Sequence, residues 1–350
     1  MKLDILANDG SPLQTHLSDV YGENGRIGLG GAELALHTMC EAWHNAGHEV
    51  RLYNNPLSQG LSPYSQYSID SFSPHDDRDV LIIFRSPNHR INNAKGKKVW
   101  WSTDQYTVGS FRDFAQQVDS IVTISQFHRE HFARAYEIRE THIIDLPVRV
   151  QDYVQDVNNP NVPVSQFEKV PNRLIFCSVP DRGLEVLANC YGAIREEIPD
   201  ISLVVTSDYR LWGVDGARNE RFVQKFLGVG GVTFLGAIPR REMVQEQMKA
   251  QIQSYPCTYD ELFCYSVAEC QIAGALPITS DIGALSTTNM GVLISGNPQD
   301  RLWHKAFVDM IIQHLKSPEL PKIQAEVQQK ALKRFSLPNI MKQWDEVLHD

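Results

Sequence analysis

Two acidic side chains in an otherwise apolar stretch are the first residues whose spacing suggests chemistry. Glu261 and Glu269 frame the run Asp260-Glu261-Leu262-Phe263-Cys264-Tyr265-Ser266-Val267-Ala268-Glu269, which continues Cys270-Gln271-Ile272-Ala273-Gly274-Ala275-Leu276-Pro277. Residues 251–255 read as a short strand, 263–273 as a helix apolar on most of its surface, Gly274 as its cap and 275–279 as the next strand. If the helix starts one or two residues after Glu261, the unsatisfied amides of its first turn suit an anion such as a diphosphate. Glu261 then stands on one side of that anion, and Glu269, about two turns on at roughly 1.5 Å per residue, on the other. A carboxylate accepts two hydrogen bonds at once, which suits the vicinal hydroxyls of a sugar or a ribose. A diphosphate with sugar hydroxyls at both ends is a nucleotide-sugar. The plainer reading is a buried helix whose two Glu residues face solvent or pair with Arg or Lys.

The Glu-x7-Glu segment, with Ala273-Gly274-Ala275-Leu276-Pro277 behind it, resembles the donor-site segment of the retaining GT-B glycosyltransferases of family four. That resemblance implies that Glu261 touches the donor sugar, that the backbone of Leu262, Phe263 and Cys264 holds the phosphates, and that Glu269 binds the ribose diol. The family has Gly-Phe-Gly after the first Glu. Here Leu262-Phe263-Cys264 stands in that place, and the close backbone approach that glycine permits is lost.

A second candidate region lies near the start. Residues 2–8 alternate as a strand, a long loop ends Gly25-Arg26-Ile27-Gly28-Leu29-Gly30-Gly31-Ala32-Glu33, and 32–46 has helical spacing closed by Gly47 before a strand at 49–53. This is a βαβ unit with a glycine-rich turn. A dinucleotide fingerprint would follow the strand directly and end the second strand on an acidic residue; here some twenty residues intervene and that strand ends Tyr53-Asn54-Asn55, so NAD is not indicated. Gly30-Gly31-Ala32-Glu33 is instead similar to the family's Gly-Gly-x-Glu loop, which implies that Gly30 and Gly31 lie against the donor phosphate and sugar. Otherwise it is a plain glycine turn.

Apolar runs at 79–85 and 99–101 fit strands covered on both faces. After the second comes Ser102-Thr103-Asp104, where family members carry His-Asp. Only Asp104 carries over, as a third catalytic candidate, and it serves equally well as a helix cap. His128 and His131, one turn apart in the helix after strand 119–125, have a spacing that permits a shared metal ion. No third ligand is near in sequence and the resembled family needs no metal, so a solvated helix face is the expectation.

In the second half, Ser178-Val179-Pro180-Asp181-Arg182-Gly183-Leu184 puts a guanidinium at a helix entrance, where it can hold a diphosphate bidentately. Its position is similar to the family's Lys-Gly. The family's Arg five residues earlier is Cys177 here. Leu235-Gly236-Ala237-Ile238-Pro239 resembles Leu-Gly-x-Val-Pro, whose backbone borders the nucleobase, so Ala237 and Ile238 join the donor-binding set. Ile282-Gly283-Ala284-Leu285 matches a small glycine turn of the family.

The chain has 350 residues, 42% of them hydrophobic, enough for two cores. Residues 151–172 are polar and broken by Pro160, Pro163 and Pro171, and read as a linker between two βα series. The expected fold is α/β GT-B: two Rossmann-like, doubly wound parallel sheets facing an interdomain cleft. The expected domains are 1–160, on the acceptor side, and 172–337, on the donor side, with a last helix at 338–350 returning to the first through Ile340, Trp344 and Val347. The net charge of -9 argues against a nucleic-acid surface. Six scattered Cys without CxxC pairs fit reduced core thiols, and no apolar run has membrane-spanning length, which points to a cytoplasmic protein.

The expected function is a retaining, metal-independent hexosyltransferase without cofactor. Its donor is a UDP- or GDP-sugar and its acceptor an unknown hydroxyl on a saccharide, lipid or other molecule. Glu261, Arg182 and Asp104 form its catalytic set. A nucleotide-sugar 2-epimerase of the same architecture, or a catalytically silent nucleotide-sugar-binding subunit, are the alternatives.

Overall fold

A computed structural model describes residues 1–7, 14–21, 28–58, 60–106, 109–153, 168–212 and 214–350. Asn8-Asp9-Gly10, Gly25-Arg26-Ile27, Pro160 and Pro163 lie outside the described residues. The chain divides into two compact units, Met1–Pro147 with Leu337–Asp350, and Val148–Ser336.

The first unit begins with β1 (Lys2–Leu6), α1 (Gly31–Asn45), β2 (Glu49–Tyr53) and β3 (Ser65–Tyr67). It continues with β4 (Val80–Phe84), β5 (Lys97–Trp101), α2 (Phe111–Ala115), β6 (Ser120–Thr123), α3 (Gln126–Tyr136) and β7 (His142–Ile143). All pairings in its sheet are parallel, in the order β3-β2-β1-β4-β5-β6-β7. Every residue of β4 is buried, as a strand covered on both faces must be.

The second unit contains β8 (Arg173–Phe176), α4 (Leu184–Glu197), β9 (Ser202–Val205), α5 (Ala217–Lys225), β10 (Val232–Phe234) and α6 (Arg240–Lys249). After these come β11 (Ile252–Tyr255), α7 (Tyr265–Ile272), β12 (Leu276–Ser280), α8 (Leu285–Thr288), β13 (Val292–Ile294), α9 (Arg301–Leu315) and α10 (Leu320–Phe335). Its sheet is also wholly parallel, in the order β10-β9-β8-β11-β12-β13. Phe176, Leu187, Tyr191, Ile252, Leu276 and Phe307 are among the fully covered residues of its core.

The last helix, α11 (Leu337–His349), belongs to the first unit. Trp344 meets Trp43 of α1 edge-on at 5.3 Å between ring centroids and Trp101 of β5 at 5.1 Å, and the Lys97 ammonium donates to the Val347 carbonyl at 2.7 Å. Edge-on geometry suits the aromatic quadrupole, and each such buried ring contributes on the order of 3 kcal/mol.

Each sheet reverses its strand order once: between β1 and β4 in the first, and between β8 and β11 in the second. In open parallel sheets the crevice beyond the carboxyl ends of the strands at such a reversal is where ligands bind.

The expectation for the histidine pair is corrected here. His128 is not on a solvated face but fully buried, its ring edge-on to Phe132 at 4.5 Å and its Nδ1 accepting from the Ile124 amide at 3.4 Å. The Ser125 hydroxyl caps the helix by accepting from the His128 amide, so the first turn of α3 is drawn against the sheet. Among the described residues no group of three or more His, Cys, Asp or Glu is placed to hold a metal ion.

Burial, with a smaller contribution from His131, pushes the His128 pKa down to about 3. Above pH 6.5 the residue is neutral folded or unfolded. As pH falls below that, the unfolded chain takes up a proton that the native imidazole refuses, and stability is lost down to about pH 3. Between pH 7.5 and 5.5 this residue alone should lower the unfolding free energy by about 1.4 kcal/mol. Denaturant titrations should show a correspondingly smaller pH slope for His128→Asn, which keeps an acceptor for the Ile124 amide; equal slopes would contradict a buried neutral imidazole.

Candidate active site

At the reversal in the second sheet, β8 and β11 lie side by side and each sends a loop out from its carboxyl end. The loop after β8 makes one short helical turn, Pro180–Arg182, before Gly183 admits α4. Gly183 has φ +132° and presses so closely on the loop after β11 that a Cβ would lie 2.2 Å from the Pro256 carbonyl oxygen. Only glycine fits that approach, and it brings the neighbouring Arg182 to Glu261.

One nitrogen of Arg182, Nη1, donates to both oxygens of Glu261 at 2.8 Å. The Tyr255 hydroxyl donates to Glu261 Oε1 at 2.6 Å, and the guanidinium carbon lies 4.4 Å from the centre of the Tyr259 ring. Burial alone would lower the Arg182 pKa, but the Glu261 carboxylate overrides it and raises the pKa above the usual arginine value. Burial, with Cys257 and Glu261, raises the Tyr255 pKa well above 10, so its hydroxyl stays a donor. The far side of Glu261 is closed by the turn at Gly283, where φ is +59° and a Cβ would fall 2.6 Å from the Glu261 carbonyl oxygen. The Ala284 amide donates to that same carbonyl at 2.7 Å.

The structure corrects the expected start of the helix. α7 begins at Tyr265, four residues after Glu261, because Leu262-Phe263-Cys264 forms a turn. Cys264, where the resembled family has its second glycine, adopts φ +66° and ψ +77°, a left-handed conformation that glycine takes without strain. Among the described residues the amides of Leu262, Phe263 and Cys264 reach no protein acceptor. Unpaired amides in a buried turn are unusual, and donors of this kind can receive an anion.

Glu269 is buried on α7 and is also answered by an arginine. Arg240 Nη1 donates to its Oε1 and Gln247 Nε2 to its Oε2, while Arg240 Nε donates to Asp152 at 2.8 Å. Arg240 is the first residue of α6, two positions after Ile238, so the Ala237-Ile238 segment and Glu269 are tied together. The Ala237 amide donates to Asp208 at 3.2 Å. Both acidic residues of the opening motif therefore have guanidinium partners, as the plainer sequence reading allowed. Asp152, Tyr153, Arg240 and Gln247 carried no motif in the sequence, and only the folded chain shows them meeting. Cys177 supplies no charge; its thiol lies 3.5 Å from that of Cys270. All six Cys are free and buried.

In the first unit Gly30 is the N-cap of α1 and Gly31 its first residue. Asp104 does not cap a helix, since Ser110 caps α2; its Oδ2 accepts from Arg85 Nε at 2.6 Å, and Arg85 Nη1 donates to Glu33 at 3.2 Å. Gly30, Glu33 and Asp104 are thus gathered around Arg85, which sequence reading passed over as the last residue of a strand.

No family model and no curated protein matches the chain. Among solved structures it is similar over its whole length to a sucrose-phosphate synthase from Thermosynechococcus elongatus, with 17% identity, 98% of that chain covered and a TM-score of 0.72. It is also similar to HepE from Anabaena in complex with UDP and glucose, with 15% identity, 100% of this chain and 99% of that one covered, and a TM-score of 0.70. A glycosyltransferase from Rickettsia africae gives 15% identity, 99% and 98% coverage and a TM-score of 0.70. The chain has the GT-B fold: two α/β units, each built on a parallel sheet.

Gly283→Ala should disturb the site without touching its side chains. The new methyl meets the Glu261 backbone in a conformation unfavourable to any L side chain, and the substitution should lower stability by about 1–3 kcal/mol. A urea midpoint equal to that of the native protein would show that this turn does not constrain Glu261.

Proposed function

We propose that the chain is a retaining glycosyltransferase that moves a hexosyl group from a nucleoside diphosphate sugar to an acceptor hydroxyl. The observation that carries this reading is the meeting of Arg182 and Glu261 at the reversal of the second sheet, next to a turn whose amides have no acceptor among the described residues. The similar HepE structure holding UDP and glucose supports the same ligand class.

In this reading the diphosphate lies against the 262–264 turn and the entrance of α4, and Arg182 offsets the charge that grows on it. Glu261, pinned by Arg182 and Tyr255, orients the donor sugar. Each carboxylate oxygen has two lone pairs, so Glu269 can accept from ribose hydroxyls alongside Arg240 and Gln247. The bond between the anomeric carbon and the diphosphate oxygen breaks, and its electron pair leaves with the diphosphate. The acceptor oxygen bonds to the anomeric carbon on the same face, and its proton passes to the departing phosphate. No metal or further cofactor takes part in this scheme.

The test begins with a thermal-shift screen of UDP, GDP, UDP-glucose and GDP-mannose, since a ligand that binds only the folded state raises its melting point. Glu261→Gln keeps the size of the side chain. It should reduce release of nucleotide from the donor by about 100-fold or more while nucleotide affinity changes by less than about threefold. Unchanged turnover would remove Glu261 from the mechanism. An isomerised sugar formed from donor alone would favour an epimerase, and binding without turnover a silent subunit.

A further inference from the structure

The reversal in the first sheet has its own arginine. Arg85 is the residue immediately after β4, and β4 is the partner of β1 at that reversal. Its φ is +72°, a conformation uncommon for a residue with a side chain. Such a backbone persists only where its surroundings over-determine it. Here the Arg85 amide donates to the Trp101 carbonyl at 2.8 Å, and the Arg85 carbonyl accepts from the Trp100 indole at 3.0 Å.

With its backbone fixed on both sides, the planar guanidinium reaches two carboxylates from different segments. Nε donates to Asp104 Oδ2 at 2.6 Å and Nη1 to Glu33 Oε1 at 3.2 Å. Glu33 is buried and folded over Gly30, where a Cβ would come within 2.2 Å of Glu33 Oε2. The Glu33 carboxylate thus lies over Gly30 at the entrance of α1. The Asp104 side chain is 29% exposed, with one oxygen tied to Arg85 and, among the described residues, no partner on the other. A carboxylate held in this way is suited to receive a hydroxyl in one orientation.

We infer that Arg85 is a positioning residue for the transfer step. It fixes the carboxylate of Asp104 toward a hydroxylated acceptor and, through Glu33, fixes the glycine turn at α1. This inference rests on the glycosyltransferase reading above. Lysine cannot replace it, because two separate nitrogens of a rigid fork reach the two carboxylates and an ammonium is a single point.

The experiment compares the full-length protein with Arg85→Lys, Asp104→Asn and the double variant. UDP-glucose is the donor probe, or GDP-mannose where GDP is the nucleotide that binds, and free glucose or water is the acceptor. Nucleotide affinity is measured by calorimetry, and kcat and the donor KM from nucleotide release. Each single substitution should lower kcat about tenfold or more with donor KM and nucleotide affinity within about twofold, because nucleotide is held by the second unit's own residues. The double variant should be no slower than the slower single one, since both changes break the same interaction.

An unchanged kcat in Arg85→Lys, multiplying effects in the double variant, or an affinity loss as large as the kcat loss would each overturn the role of Arg85. A native protein that binds neither nucleotide overturns the donor reading and this inference with it; one that binds a nucleotide and releases nothing from its sugar overturns the transferase reading, and this inference with it. A native protein that turns over while Arg85→Lys matches it overturns the inference alone.

Discussion

A guanidinium and a carboxylate taken out of water together are stable only if each answers the other, and the second unit is arranged around one such pair. Arg182 and Glu261 come from loops after neighbouring strands, and their side chains are 24% and 7% exposed. Separating a pair of this kind leaves an uncompensated charge that costs on the order of 3–5 kcal/mol. The surrounding backbone is shaped to prevent separation. Gly183 lets α4 press on the loop after β11, Gly283 lets the turn before α8 close on Glu261, and Tyr255 donates to the same carboxylate. Three constraints from three segments converge on one acidic residue, more than a surface ion pair would need. In the proposed function, such pre-organisation is what a group that orients a donor sugar requires.

The two units repeat one arrangement. In each, the strand order reverses once, and beyond the reversal an arginine bridges to carboxylates from a neighbouring segment: Arg182 to Glu261 in the second, Arg85 to Glu33 and Asp104 in the first. A third arginine, Arg240, answers Glu269 and Asp152 inside the second unit. Carboxylates concentrated at the carboxyl ends of parallel strands repel one another and any anionic ligand. Interposed guanidiniums offset that repulsion and leave the carboxylates available as acceptors, because each oxygen can take a second hydrogen bond.

Much of the fold was legible because its elements carry strong local signals. The run Val80-Leu81-Ile82-Ile83-Phe84 is a strand buried on both faces, and the spacing of Leu34, Met39 and Trp43 places α1 within one residue of its observed limits. The break between the last two helices falls at Ser336, and Gly274 closes α7 with a left-handed φ of +73°. What was not legible depends on tertiary contact. The helix after Glu261 starts later than its apolar run suggests because Cys264 is held in a left-handed turn that its residue type does not announce. His128 looked like half of a polar pair, yet Phe132 and the sheet bury it. Arg85, Asp152 and Arg240 carry no motif, since an ion pair between residues far apart in the chain leaves no periodicity to read. The helix α9, Arg301–Leu315, follows the turn at Gly296-Asn297-Pro298 and carries no residue of a chemical motif, and the sequence analysis assigns it no element.

The central claim is that a nucleoside diphosphate lodges where Arg182 and Glu261 meet. Hydrogen–deuterium exchange of the full chain with and without UDP or GDP tests it most directly, because it reports where a ligand protects the backbone and does not depend on an acceptor. The account predicts slowed exchange over residues 178–187 and 261–268, including the amides of Leu262, Phe263 and Cys264, which have no acceptor among the described residues. Protection by a bound nucleotide confined to other segments, with both of these stretches exchanging as in the free protein, would contradict it.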